Sequence, residues 1–470
     1  MLKYFIYFVL IFLPCFNAMA FYLSQSIVTE SALKHYPKIY ASEEKVRLAE
    51  SKLEEARGEF DTKLNIKQRE LVSGYYEDRG YLESKLVKPL SVANANVYTA
   101  YSNSRNSDYP EINQYYNTKN EGRLMFGFEL SLLRGFLVNE RDALNKLAIM
   151  DVDISNYNNK LTVAQVKADA QKSYWKYFYI KQIFGIYQDI LQIAIDRQAA
   201  LEKQVKAGDK PSIILEENQR TILRRKSLVE NIKREVLNSA VYLSLYLRDE
   251  NGNLHDVNLI LDGKLDDLDF LDSIKQSHNS PEPTYLQEVV NKRIDVKISE
   301  MILKQSNLRI KIAKNNLLPS VDLSFESSKD FGNGDYRKDA ASNKIALNVT
   351  IPLENNKQSG KYKKAKSEAS IVKNDLKLLK DSVLSEIKAI ENKINELKQV
   401  LQNTKNEIEI CKKLVSAEKT RFENGDSDFF MLNAREQDLL YTLDYNIRNK
   451  LALTDTLIEY QFATKDTLTQ

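Results

Sequence analysis

The sequence predicts a mainly α chain that also supplies strands to a membrane β-barrel, and three observations predict it. Two very long stretches almost lack glycine and proline, two shorter segments alternate apolar and polar residues, and the chain repeats itself internally.

Residues 1–20 are expected to be a leader. Lys3 supplies a positive charge, Tyr4 to Leu13 is an almost unbroken apolar run, Pro14 breaks it, and Ala18-Met19-Ala20 is a small-x-small cleavage site. That order marks a secretory signal peptide, because an apolar run of about ten residues is too short to span a bilayer. The alternatives are an anchor helix and a lipid-modified Cys15. Pro14 argues against the second, since lipoprotein processing wants a small residue there.

No later stretch approaches the roughly 18 apolar residues of a transmembrane helix. Beyond the leader Cys411 stands alone, which excludes an internal disulfide. The net charge of +3 argues against a nucleic-acid partner. His35, His255 and His278 are too scattered for a metal cluster. No Walker loop, dinucleotide fingerprint or nucleophile elbow is present, so neither an enzyme nor a cofactor is expected.

Between Phe136 and Ala207 the only glycine is Gly185, and Lys361 to Asn424 holds neither glycine nor proline. At 1.5 Å per residue these stretches would form helices of roughly 100 Å. The second carries an a/d seam: Leu376, Val383, Ile387, Ile390, Ile394, Leu397, Leu401, Thr404, Ile408, Cys411 and Val415, with Lys380 as its one charged interruption. Cys411 and Trp175 are both read as packing residues. Each long helix ends in a glycine turn, Lys206-Ala207-Gly208-Asp209 and Glu423-Asn424-Gly425-Asp426, with Asp or Ser expected to cap the next helix.

The halves repeat. An offset of 257 lays Ser42-Glu43 on Ser299-Glu300, and an offset of 217 lays Gly208-Asp209 on Gly425-Asp426. Helices are expected at about 25–60 and 285–318, each leading into a β segment. The repeats are placed at 21–265 and 281–470 and are expected to form one integrated unit.

The β segments alternate with period two. Phe126, Phe128, Leu130 and Leu132 do so in the first half; Val321, Leu323, Phe325, Ile345, Leu347, Val349 and Ile351 do so in the second. The pattern suits a sandwich or a barrel equally. The leader and the lack of a helical anchor favour the barrel, since only helices and closed barrels span lipid. Residues 73–121, rich in Tyr, Asn and Ser, are read either as an enlarged loop or as an added hairpin.

The duplicated order of rods, turns and strands resembles the TolC-like outer-membrane efflux family. The residues that carry the resemblance are Arg421-Phe422-Glu423-Asn424-Gly425 running into Phe430-Met431-Leu432-Asn433-Ala434, Leu132-Leu133-Arg134-Gly135, and Ile351-Pro352-Leu353. It implies a homotrimer in which each subunit gives four strands to a twelve-stranded outer-membrane barrel, above a periplasmic α-barrel built from the helical hairpins. It also implies a mixed region at about 245–285 and the C-terminal tail. The partners it implies are a periplasmic adaptor, an ABC or RND inner-membrane pump and outer-membrane lipid. The adaptor would dock on Val205, Ala207, Gly208 and Asp209, and on Phe422, Gly425, Asp426 and Asp428. In some relatives acids narrow the periplasmic mouth six and nine residues past the second tip glycine, where this chain has Met431 and Ala434. Glu216 and Glu217 are the candidate acids instead.

A periplasmic coiled-coil or adaptor protein is the alternative reading. It accounts for the rods and leaves the amphipathic strands unexplained. The transported substrate is not legible in the sequence.

Overall fold

The computed structural model describes residues 22–71, 79–105, 118–262, 264–265, 283–334 and 339–464. The expected leader with Cys15, His278, and parts of 73–121, 245–285 and the tail lie outside the described residues. The helices are α1 (Gln25–His35), α2 (Pro37–Gly58), α3 (Glu140–Lys206), α4 (Ile213–Ser244), α5 (Val257–Asp262), α6 (Pro283–Lys292), α7 (Ile294–Asn315), α8 (Asn356–Glu423) and α9 (Phe429–Thr464). The strands are β1 (Tyr22–Leu23), β2 (Lys63–Leu71), β3 (Arg79–Pro89), β4 (Asn96–Arg105), β5 (Arg123–Ser131), β6 (Lys264–Leu265), β7 (Ser320–Asp330) and β8 (Ser342–Thr350).

The two rods are continuous helices of 67 and 68 residues, each about 100 Å along its axis. Gly185 leaves α3 unbroken, and α8 begins four residues ahead of Gly360. Acids in the first turn of α3 (Glu140, Asp142) and lysines in its last (Lys203, Lys206) complement the helix dipole. Every seam residue of α8 is buried or half-buried.

The helices expected at 25–60 and 285–318 are each broken in two. Pro37 disfavours helical backbone at Tyr36 (ψ 123°), and Arg293, with ψ 138°, separates α6 from α7. α2 and α7 are both 22 residues long and sit 257 positions apart.

The chain divides into two compact units, each drawing on both halves of the sequence. One collects residues up to Tyr40, Thr162–Tyr285 and Ser385–Lys465. Its core is the aromatic run of α3. Tyr174, Trp175, Tyr177, Phe178 and Tyr179 are buried, and their polar ends meet the backbone, Gln25 of α1 and Thr454 of α9. The Tyr177 hydroxyl donates to Ile260 O at 2.9 Å, the Tyr174 hydroxyl to Leu23 O at 3.3 Å, and the Trp175 indole N–H to Gln25 Oε1 at 2.9 Å. These bonds fix α5 and the short parallel pair β1–β6. The α8 seam closes on α9 in the same unit, where Ile394 and Leu397 pack with Leu453 and Leu457. Further along that seam Asn446 donates to Thr404 at 2.7 Å. Cys411 is half-buried beside Thr442, as a packing residue would be.

The other unit holds Ala41–Leu161 and Leu286–Leu384 and contains one sheet of order β2-β3-β4-β5-β7-β8, antiparallel throughout. Six strands replace the expected four, because the first half supplies four strands rather than two. Polar alternation in β2 and β3 hid them. Of the two readings of residues 73–121, the described part takes the added hairpin. Helix-to-helix bonds support this unit: Gln305 donates to Asp151 at 2.6 Å, and Lys380 pairs with Glu300 at 2.8 Å. Asn139 caps the entry to α3 and donates to Leu90 O and Ser91 O in the β3–β4 turn.

Candidate functional site: an amphipathic sheet and two hairpin tips

The register of the sheet decides which residues share a face. Leu64 and Ile66 of β2, Leu82 and Leu86 of β3, and Val97 and Tyr101 of β4 lie on one side. Leu124, Phe126, Phe128 and Leu130 of β5, Val321, Leu323 and Phe325 of β7, and Ile345, Leu347 and Val349 of β8 lie on that same side. Among the described residues nothing covers much of it. Leu64 is 61 % exposed, Ile66 64 %, Ile345 73 % and Leu347 57 %. Water-facing surfaces rarely carry an apolar face spread across six strands; such a face marks contact with a partner or lipid.

The opposite face is polar and internally bonded. Tyr98 of β4 crosses Gly127 of β5 and donates to Glu326 of β7 at 2.8 Å. A Cβ at Gly127 would stand 2.5 Å from the Tyr98 ring and 2.6 Å from Phe325 O, so only glycine admits this crossing. Lys85 of β3 lies 3.7 Å from the Tyr98 ring centre. Tyr81 donates to Glu83 at 2.6 Å, and Arg123 donates to Asp330 at 3.1 Å. Apolar residues on one face and polar ones on the other is the alternation that strands of membrane barrels carry.

The two tips lie in the other unit and share one geometry. Gly208 and Gly425 take φ of +81° and +84°. Gly208 N–H donates to Val205 O and Asp209 N–H to Gln204 O; Gly425 N–H donates to Phe422 O and Asp426 N–H to Arg421 O. Both are Schellman caps, in which left-handed glycine lets the last carbonyls find donors. The entries to the next helices differ. Asp428 accepts Met431 N–H at 2.8 Å and caps α9. Ser212, expected to cap α4, makes no side-chain cap bond. There Pro211 O and Ser212 O accept the N–H groups of Ile214 and Leu215, leaving the Ser212 hydroxyl without that task.

Of the expected docking residues, Ala207, Gly208, Asp209, Gly425, Asp426 and Asp428 are exposed and Val205 is half-buried. Phe422 is buried with Leu201, Phe429 and Leu432, and Lys210 sits 3.8 Å from its ring centre, so it ties the two tips together from inside. Glu216 is exposed; Glu217 is half-buried 3.6 Å from Arg220. Met431 is 44 % exposed.

Sequence reasoning missed a buried ionic group behind the tips. Glu436 accepts from Arg197 and, at 2.7 Å, from Arg225, which also donates to Ile190 O at 2.7 Å. Burial disfavours the Arg197 charge, and Glu436 offsets part of that cost. The residues come from three helices, and no local spacing announces them.

No family profile matches the chain, and no curated protein matches it by sequence. Solved structures do. CusC, whose crystal structures bear on conformational changes accompanying folding and transmembrane channel formation, superposes with a TM-score of 0.71 at 13 % identity, covering 95 % of this chain and 93 % of that one. The outer membrane protein VceC of Vibrio cholerae gives 0.68 at 12 % identity, covering 94 % and 95 %. The MtrE outer membrane channel of Neisseria gonorrhoeae, in its open state, gives 0.64 at 14 % identity, covering 94 % and 88 %. The fold is that of the TolC-like outer-membrane channels.

Proposed function

We propose that this chain is the outer-membrane channel subunit of a tripartite efflux or type I secretion system, a passive conduit from periplasm to exterior that works as a homotrimer. One observation carries the reading: an exposed apolar face runs across all six strands while the other face is polar and bonded within itself. Lipid suits the first face and water the second. The likeness to channels such as CusC and MtrE supports it. A periplasmic coiled-coil or adaptor protein would have to leave that apolar face in water.

The open edges of the sheet supply the reason for self-assembly. Unpaired backbone N–H and C=O groups are not tolerated in hydrocarbon, so β2 and β8 require partners. Energy and substrate choice would come from an inner-membrane pump of ABC or RND type, delivered through a periplasmic adaptor. The adaptor would dock on the exposed tip residues Ala207, Gly208, Asp209, Gly425, Asp426 and Asp428, with Val205 beside them and Phe422 holding the tips from within. Glu216 and Glu217 would line the periplasmic mouth. Membrane fractionation tests the reading: a trimer in the outer membrane supports it, and a soluble periplasmic monomer defeats it.

A further inference from the structure

The sheet edges carry more information than the need for a partner. The row Leu64–Leu86–Thr99–Phe126–Ser327–Asn343 runs straight across all six strands along the hydrogen bonds. On β8 the centre of the apolar set, Leu347, lies four residues from Asn343 toward the helix-joined end. On β2 the apolar pair Leu64 and Ile66 is centred one residue beyond Leu64 toward the loop end. The apolar band therefore climbs five residues in the five steps from β8 to β2.

Five residues at about 3.3 Å against five strand spacings of about 4.8 Å is a slope of about 35°. Strands in membrane barrels tilt by about 35–45°. A level band of lipid crossing tilted strands would produce this drift. β2 and β3 follow it with the other four strands, so both belong to the lipid-facing wall.

We propose that copies of this chain join β2 of one to β8 of the next in an antiparallel pair, with Ile66 beside Leu347 of the neighbouring copy. Three copies of the six-stranded sheet then close one barrel of eighteen strands, in place of the twelve expected from the sequence resemblance. Three features agree on that joint. An even number of antiparallel strands leaves β2 and β8 running oppositely, so the joint continues the antiparallel pattern. One more step of the drift moves the band one residue, from the centre of the β2 pair to Ile66, and side-chain parity accepts it because Ile66 and Leu347 both face outward. The register that follows also sets Lys63 opposite Thr350 and Leu71 opposite Ser342, so the nine residues of β2 overlap the nine of β8 from end to end.

This inference rests on the proposed outer-membrane trimer, and its test keeps the two apart. Full-length protein carrying Cys411→Ser is given Ile66→Cys with Leu347→Cys, and separately Thr99→Cys with Leu347→Cys. Each is oxidised in outer membranes and run without reductant. Disulfides form only at short, specific Cα separations, so about tenfold more covalent dimer and trimer is expected for the first pair than for the second. Linkage through Thr99 would place β4 at the joint and leave β2 and β3 outside the wall, overturning the inference. A trimer linked by neither pair overturns it as well. A monomer absent from the outer membrane would instead sink the proposed function, and the joint with it.

Discussion

Arg225 donates to the carboxylate of Glu436 at 2.7 Å with the two side chains only 2 % and 6 % exposed, making one carboxylate the meeting point of α3, α4 and α9 behind the tips. Removing one partner of a buried pair leaves an uncompensated charge. Glu436→Ala is therefore expected to destabilise the tip region by about 3–5 kcal/mol. Hydrogen exchange should quicken in α4 amides around Arg225 and stay unchanged in the sheet.

Asp455 is half-buried on α9, and burial pushes its carboxyl up to about 6 from 3.8. Lys172 opposes that shift and Glu459 adds to it. A folded-state value above the unfolded one favours folding below about pH 4, and that contribution is lost as pH rises through about 6. Asp455→Asn should therefore raise the thermal midpoint at pH 7 and give no gain below about pH 4. Melting curves across that range check it.

Gly127 has no room for a methyl group under the Tyr98 ring and against Phe325 O. Gly127→Ala should cost about 1–3 kcal/mol by overpacking. Tyr98→Phe, which only removes the hydrogen bond to Glu326, should cost about 1.5–3 kcal/mol. The readout for both is the thermal unfolding midpoint, followed on a semi-native gel as the temperature at which the proposed trimer dissociates.

Leu347 and Asn348 are neighbours on β8 with opposite facing. If lipid covers the Leu347 face, Leu347→Lys costs up to about 2–4 kcal/mol, depending on depth, and lowers trimer yield, while Asn348→Lys is tolerated. Equal yields from the two variants would argue against lipid on that side.

Asp209 and Asp426 are exposed at equivalent positions of the two tips. If the tips dock an adaptor as proposed, reversing both to Lys reduces export and cross-linking to that adaptor and leaves trimer abundance unchanged, as each follows its glycine outside the packed Phe422 cluster. Quantitative blotting of the trimer beside an export assay separates docking from folding.

Local chemistry explains how much of this was legible. Gly208 and Gly425 stop helices through backbone conformation, which nearby sequence dictates, and the α8 seam repeats often enough to survive the interruption at Lys380. Strand β2 was not legible, and β3 only as one of two readings of residues 73–121, because Leu64, Ile66, Leu82 and Leu86 stand among Lys, Gln, Arg and Glu and their shared face depends on register. Phe422 looked like a tip contact because burial is not written into a motif. The Glu436 group joins residues more than two hundred positions apart.

By itself the sequence determined the long helices, the glycine turns, the repeat and the amphipathic strands around Phe126 and Leu347, since each is set by residues within a few turns or strand periods of one another. Only the tertiary structure decided that the sheet has six strands, that Phe422 faces inward and that three helices meet at Glu436. Strand pairing and buried charge pairing are contacts between distant segments, and their energy is realised only once folding brings those segments together.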